Sequence, residues 1–239
     1  MNTQSLIADT AALKASPGLI SPYRKVSLTA GLLYLLTFVS IPTGVLYGPV
    51  HQPGYIITAG NDQWIIIGGI LEIIVALAGI ATAIVLFPVL KKQNETMALG
   101  LVAARVLEAA TIFLGVAFLL SVVTLHQSGA GKDALVTSHA LVVLYERIFL
   151  LGQAFIPAIN DVLLGILLYR SRLVPRTLSV IGIAGALPLV AGYLAIMFGY
   201  IERLSVWSAL SAVPVAAFEF SLGIYLVFKG FRRSDLIKG

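Results

Sequence analysis

The chain has 239 residues, of which 59% are hydrophobic and only 11% charged, with a net charge of +5 and no cysteine. A soluble globular domain carries about 25% charged residues, so an ordinary soluble fold is excluded. The missing cysteines exclude a disulfide framework, a thiolate nucleophile and a cysteine metal site.

Apolar runs longer than about 18 residues favour membrane-crossing helices over the short alternating strands of an outer-membrane barrel. Residues 1–24 are mixed in character and carry the breakers Pro17-Gly18 and Ser21-Pro22, as an exposed lead-in would. The basic pair Arg24-Lys25 comes late and directly precedes the first long apolar run, so the first span is expected to be an uncleaved anchor. A transmembrane domain over 25–230 then holds six expected spans: Val26–Tyr47, Trp64–Leu90, Met97–Leu125, His139–Tyr169, Thr177–Tyr200 and Leu204–Phe228. Residues 231–239 form a basic tail. At 1.5 Å per residue each span can cross about 30 Å of hydrocarbon. The fourth is too long for a flat fit and must tilt, project or kink at Pro157, while Pro188 and Pro214 can bend the fifth and sixth. No span looks interrupted beyond these prolines. The fold class is therefore all-α, a polytopic six-helix bundle.

Basic residues set the orientation. Lys14, Arg24, Lys25, Lys91, Lys92, Arg170, Arg172, Arg176, Lys229, Arg232, Arg233 and Lys238 fall on one side, and only Lys132 and Arg203 on the other. Both termini are thus expected in the cytoplasm, in a bacterial inner membrane. The positive charge is explained by this bias, and no nucleic-acid partner is implied. Tyr47, Tyr55, Trp64, Tyr200 and Trp207 fall near the outer interface, where an aromatic belt belongs. The spacings Gly79 to Ala83 and Gly182 to Ala186 allow close helix contact.

The spans contain charges that need partners, because each costs about 2.5–3.5 kcal/mol at mid-bilayer. Arg105 and Glu108, three residues apart, share a helix face. Counted along the helical rise, Arg105, Glu108, Asn160, Asp161 and Glu219 lie about 4–11 Å to the cytoplasmic side of centre. They are expected to form one layer, with Arg105 bridging to Asp161 and Glu219 through its planar fork and Glu108 left as the surplus carboxylate. A second layer, outward of centre, holds Glu72, Glu146 and Arg147. The expected pairing there is Arg147 to Glu72, with Glu146 reaching the outer interface and Gln153 between the layers. Five intramembrane carboxylates (Glu72, Glu108, Glu146, Asp161, Glu219) face two arginines, so the excess calls for protons, water or a bound cation. Packing glue with an incidental proton is the plain alternative.

Other chemistry finds little support. His51, His126 and His139 fall on the outer side without the i,i+4 spacing of a helical metal site, and no metal site is expected. Ser171, Ser205 and Ser211 lack His/Asp companions at membrane depth. The glycines follow no strand–turn–helix context that would cradle phosphate. Arg170, Arg172 and Arg176 in the Tyr169–Arg176 turn are expected to meet anionic lipid headgroups, each worth about 1 kcal/mol.

Several stretches together resemble the bacterial membrane family called domain of unknown function 4386. They are Pro53-Gly-Tyr55, Gly69-Ile-Leu-Glu72, Phe87-Pro-Val-Leu-Lys-Lys92 with Asn94-Glu95, Ala98-Leu-Gly100, Arg105-Val-Leu-Glu-Ala109, Leu168-Tyr-Arg-Ser-Arg-Leu-Val-Pro-Arg176, and Glu219 with Val227-Phe-Lys-Gly-Phe231. The resemblance covers about residues 20–232. Gln127–Ser138 and Ala216-Ala-Phe218 depart from the pattern, and the second departure weakens a polar network around Glu219. The resemblance supports the topology and implies no reaction, substrate or cofactor.

Three functional readings stand at this point. The charged layers bind or move a small solute, proton or cation in a transport-like or sensory role; or Glu108 or Asp161 is the general base of an intramembrane enzyme; or the protein is a scaffold or accessory subunit. Besides the bilayer, a homo-oligomer or a membrane partner is left open.

Overall fold

In the computed structural model of the chain, the described residues are 21–234 and 236, except 53, 59, 204 and the side chain of Ala154. The lead-in expected over 1–24 therefore lies, up to residue 20, outside the described residues, as does most of the tail beyond Ser234. All regular structure among the described residues is helical, and six segments are long and apolar enough to cross a membrane.

The first span is α1 (Pro22–Thr37), continued by a 3-10 turn at Phe38–Ser40 and a helical turn at Thr43–Leu46. Pro22 occupies the first turn of α1, where its missing N–H is no loss. Helix α2 (Asp62–Leu90) and α3 (Glu95–Gln127) are the second and third spans. Asn94 starts α3 by accepting the Met97 N–H at 2.9 Å. The fourth span is α4 (Leu135–Leu150), a five-residue π turn at Leu151–Phe155, and α5 (Ile156–Ser171). Pro157 has no N–H for the carbonyl of Gln153 one turn back, and the widened turn accommodates that gap. The fifth and sixth spans are α6 (Arg176–Met197) and α7 (Val206–Phe228), the latter capped by Ser205. The first and fourth spans are thus interrupted, where the sequence expectation was a tilt, projection or kink at Pro157 in the fourth and a continuous first span.

Each span packs on its neighbours in sequence, and the first also packs on the sixth, so the six close into a ring. Glycines make this closure possible. A Cβ on Gly31 of α1 would stand 2.8 Å from the Gly223 carbonyl oxygen of α7, and one on Gly182 of α6 would stand 2.7 Å from the Phe218 ring. At the basic end Arg24 ties α1 to α7 by donating to the carbonyls of Leu226, at 2.8 Å, and Val227. These are the orphan carbonyls of a helix C-terminus, where a cation is favourable. A large core cluster, including Leu86, Leu90, Leu164, Leu168, Leu173, Phe218 and Leu222, fills the ring at that end. Leu173 and Val174 plug the α5–α6 turn into this cluster, with Arg172 left-handed at φ 56°.

The opposite end is closed by a second cluster that includes Tyr47, Tyr55, Ile65, Leu119 and Tyr145. There Asp62 accepts from the Tyr55 hydroxyl and lies 2.8 Å from His126 Nδ1, while His126 Nε2 donates to the Thr58 carbonyl at 2.7 Å. Burial and the Asp62 contact hold the Tyr55 hydroxyl above its ordinary pKa, so it remains a donor.

Gly31→Ala and Gly44→Ala make a matched test of the close approach, because nothing lies within 4 Å of a Cβ at Gly44. Gly31→Ala is expected to destabilise the bundle by about 1–3 kcal/mol through overpacking. Gly44→Ala should leave the thermal midpoint in detergent unchanged or higher. Equal midpoints for the two variants would sink the argument.

Candidate functional site

Arg105 sits on the inner face of α3 with 5% of its surface exposed. Its Nη1 donates to Glu108 on the same helix at 2.9 Å, and its Nη2 donates to Glu219 on α7 at 2.7 Å. The guanidinium also lies over the Tyr34 ring of α1, 5.9 Å from the centroid. Gly79 on α2 lies beside the arginine stem, where a Cβ would stand 3.7 Å from Arg105 Cδ, in ordinary contact. Glu108 takes a second donor, the Asn160 amide of α5, at 2.7 Å. One guanidinium thus brings α1, α3, α5 and α7 to a single point, with the expected members Arg105, Glu108, Asn160 and Glu219 assembled there. Phe218, in the departure that weakened the expectation for Glu219, is buried against Gly182 and leaves Glu219 facing the ring interior.

Asp161 is not the partner expected of it. It is fully buried, and neither carboxylate oxygen has a hydrogen-bond partner among the described residues. Adjacent helical residues point about 100° apart, so when Asn160 reaches Glu108, Asp161 turns aside. The place of surplus carboxylate, expected for Glu108, therefore falls to Asp161.

The second layer also differs from expectation. Arg147 is exposed and forms no ion pair with Glu72. Tyr145, two residues earlier and so on another face of α4, donates to Glu72 Oε1 at 3.1 Å. Glu146 lies 3.4 Å from His51 and 3.9 Å from Arg203, whose guanidinium lies 5.1 Å from the centre of the Phe149 ring. Gln153 lies in the π turn and faces the space between the layers.

That space is a cavity of about 420 Å³. Its polar lining includes Glu72, Arg105, Glu108, Gln153, Tyr193 and Glu219, and its apolar walls include Phe38, Val75, Ile112, Phe149, Leu189 and Val215. A second cavity of about 500 Å³ adjoins it along Thr43, Phe149, Tyr193 and Ala212 and leads to Arg203 and Ser205. Both irregular segments face the first cavity, through Phe38, Ser40, Ile41 and Thr43 on one side and Gln153 on the other. No group of three or more His, Cys, Asp or Glu side chains is placed to hold a metal ion among the described residues.

The model of the family described as Domain of unknown function (DUF4386) matches residues 29–230. The chain belongs to this family. The match begins within α1 and covers the rest of the ring, including Arg105, Glu108, Asn160, Glu219 and Glu72. No curated protein and no solved structure matches the chain.

Tyr34, Tyr145 and Arg203 were not singled out from the sequence. The available signal was a tyrosine at membrane depth rather than at an interface, where its hydroxyl needs a buried partner. At the basic end Arg170, Arg172 and Arg176 are exposed around the turn, with Arg176 stacked 4.7 Å from the centre of the Tyr169 ring. Ser234 donates to the Ser171 carbonyl at 2.6 Å and the Arg232 N–H to the Leu173 carbonyl at 2.7 Å, so the start of the tail docks on this turn.

Arg105→Met is expected to cost about 3–5 kcal/mol, since it leaves the buried Glu108 and the largely buried Glu219 without their cation. Arg147→Gln should change stability by no more than about 0.5 kcal/mol. Asp161→Asn is expected to be neutral or stabilising, because it removes a charge that has no partner. Thermal unfolding of the three variants in detergent checks this ordering. A marked loss with Asp161→Asn would show that its carboxylate has a partner.

Proposed function

We propose that the protein binds a small solute in the cavity between the Arg105 layer and Glu72, in a transport-like or sensory role. The carrying observation is that Arg105, Glu108 and Glu219 line a cavity of about 420 Å³, within the range of about 300–1,000 Å³ typical of small-molecule sites. An ion-pair cluster serving only to glue helices together would be packed on all sides. The interrupted first and fourth spans add support, because irregular backbone at membrane depth is tolerated where it lines a cavity and broken helices commonly form solute sites. An intramembrane enzyme has less support. Glu108 is already held by Arg105 and Asn160, and Asp161 does not line the cavity.

The setting of this reading is a bacterial inner membrane with both termini in the cytoplasm and Arg170, Arg172 and Arg176 against anionic headgroups. The motivation is the basic bias toward the end of the ring that carries the α5–α6 turn.

A thermal-shift panel of small solutes on the purified full chain tests the site, with Ala212→Trp filling the junction of the two cavities. At a hundredfold excess over its Kd a ligand stabilises by about 2.7 kcal/mol. At least one solute should raise the wild-type midpoint and fail to raise that of folded Ala212→Trp. A panel with no shift, or shifts equal in both proteins, rejects the site.

The absence of native cysteine allows a separate test of orientation. In intact cells with the outer membrane permeabilised, a membrane-impermeant maleimide should label Ser128→Cys and spare Thr177→Cys until the inner membrane is opened. The reverse pattern would overturn the orientation.

A further inference from the structure

We propose that the cavity takes a small organic cation, a protonated amine or quaternary ammonium with a short apolar body, anchored on the Glu72 carboxylate. The inference rests on the cavity being a solute site and adds the charge and chemistry of the solute.

Charge complementarity comes first. The cavity is lined by three carboxylates, Glu72, Glu108 and Glu219, and one guanidinium, Arg105. Arg105 is committed, with one donor on Glu108 and another on Glu219. Glu72 has no such cation. It is 3% exposed, receives the Tyr145 hydroxyl on Oε1, and has no hydrogen-bond partner for Oε2 among the described residues. The Tyr47 hydroxyl and the Gln153 amide also lie close to it, so its near neighbours are neutral donors, and a buried carboxylate without a cation is costly unless it is paired. The cations on the neighbouring helix face are engaged elsewhere: Arg147 is exposed, and Arg203 lies beside Glu146, which offsets its charge.

The walls narrow the class further. Phe38, Phe149 and Tyr193 line the cavity, and aromatic faces attract ammonium groups. An inorganic cation would want several oxygen ligands converging on one point, whereas most of this lining is apolar and no cluster placed to hold a metal occurs among the described residues. An anionic solute would find Arg105 already occupied and Glu72 repulsive. A neutral one would leave Glu72 as it is.

Titration calorimetry on the full chain in detergent tests this with three probes of nearly one shape: phenethylammonium, phenethyl alcohol and phenylacetate. Phenethylammonium should bind about tenfold or more tighter than the other two, a difference of one decade in Kd. Glu72→Gln should lose that preference, and Arg147→Gln should keep it. The wild-type series carries the test alone if Glu72→Gln fails to fold. Equal or tighter binding of the alcohol or of phenylacetate overturns the proposal. So does full retention of the cation preference in Glu72→Gln, which would make Glu72 a protonated or purely structural group. If no probe binds while another solute shifts the midpoint in a manner sensitive to Ala212→Trp, the cation assignment fails and the solute site stands. If nothing shifts it, both fail.

Discussion

The constraint on which the ring depends is the placement of one guanidinium inside a ring of six long apolar helices. Arg105 cannot lose its proton, and a buried charge stripped of its partner costs about 3–5 kcal/mol. It must therefore be surrounded, and its surroundings come from four of the six spans: Tyr34 on α1, Glu108 on its own helix, Glu219 on α7 and, through Glu108, Asn160 on α5. Apolar contact is non-directional and gives little preference for one helix neighbour over another. Hydrogen bonds from a planar donor have fixed directions, so they set which face of each helix turns inward. The glycine contacts of α1 with α7 and of α6 with α7 then hold the backbones close enough for those bonds to form.

Close packing and a cavity coexist because the ring is divided along its axis. At the basic end Leu86, Leu90, Leu168, Phe218 and Leu222 fill it completely. Above the Arg105 layer, both the first span and the fourth lose regular helix. A 3-10 segment and a π turn change the number of residues per turn, so side chains that would have continued the core are rotated away. Both segments border the same space that Gln153, Glu72 and Tyr193 line. The irregular segments and the polar lining are thus two aspects of one feature.

This division also explains what the sequence could disclose. Span limits follow from apolar length, and the depth of Arg105, Glu108 and Glu219 follows from counting residues, so the meeting of α3 with α7 was legible. Rotation about each helix axis was not. Asn160 and Asp161 have nearly the same depth, and a turn of about 100° decides which one reaches Glu108. The π turn that precedes them adds a residue to the turn and shifts the facing of everything after it, an effect invisible to a count at constant pitch. Tyr145 and Arg147 differ by two residues and face nearly opposite ways, which placed Arg147 outside and gave Glu72 a tyrosine instead of an arginine.

The two acidic groups left without a cation differ in a way that matters for chemistry. Asp161 is sealed: it is fully buried, has no partner among the described residues and does not line the cavity. Nothing larger than a proton can compensate it without moving helices. Glu72 lies at the other side of the Arg105 layer, buried as a residue yet part of the cavity wall. In the proposed reading its compensation arrives from outside the protein, along the space that leads past Tyr193 and Ala212 toward Arg203. A charge that can be neutralised only internally contributes to stability alone, and the same charge on a cavity wall couples stability to occupancy. In the proposed reading the excess of carboxylates bears on function at Glu72, the cavity-wall carboxylate that lacks an ion-pair partner among the described residues.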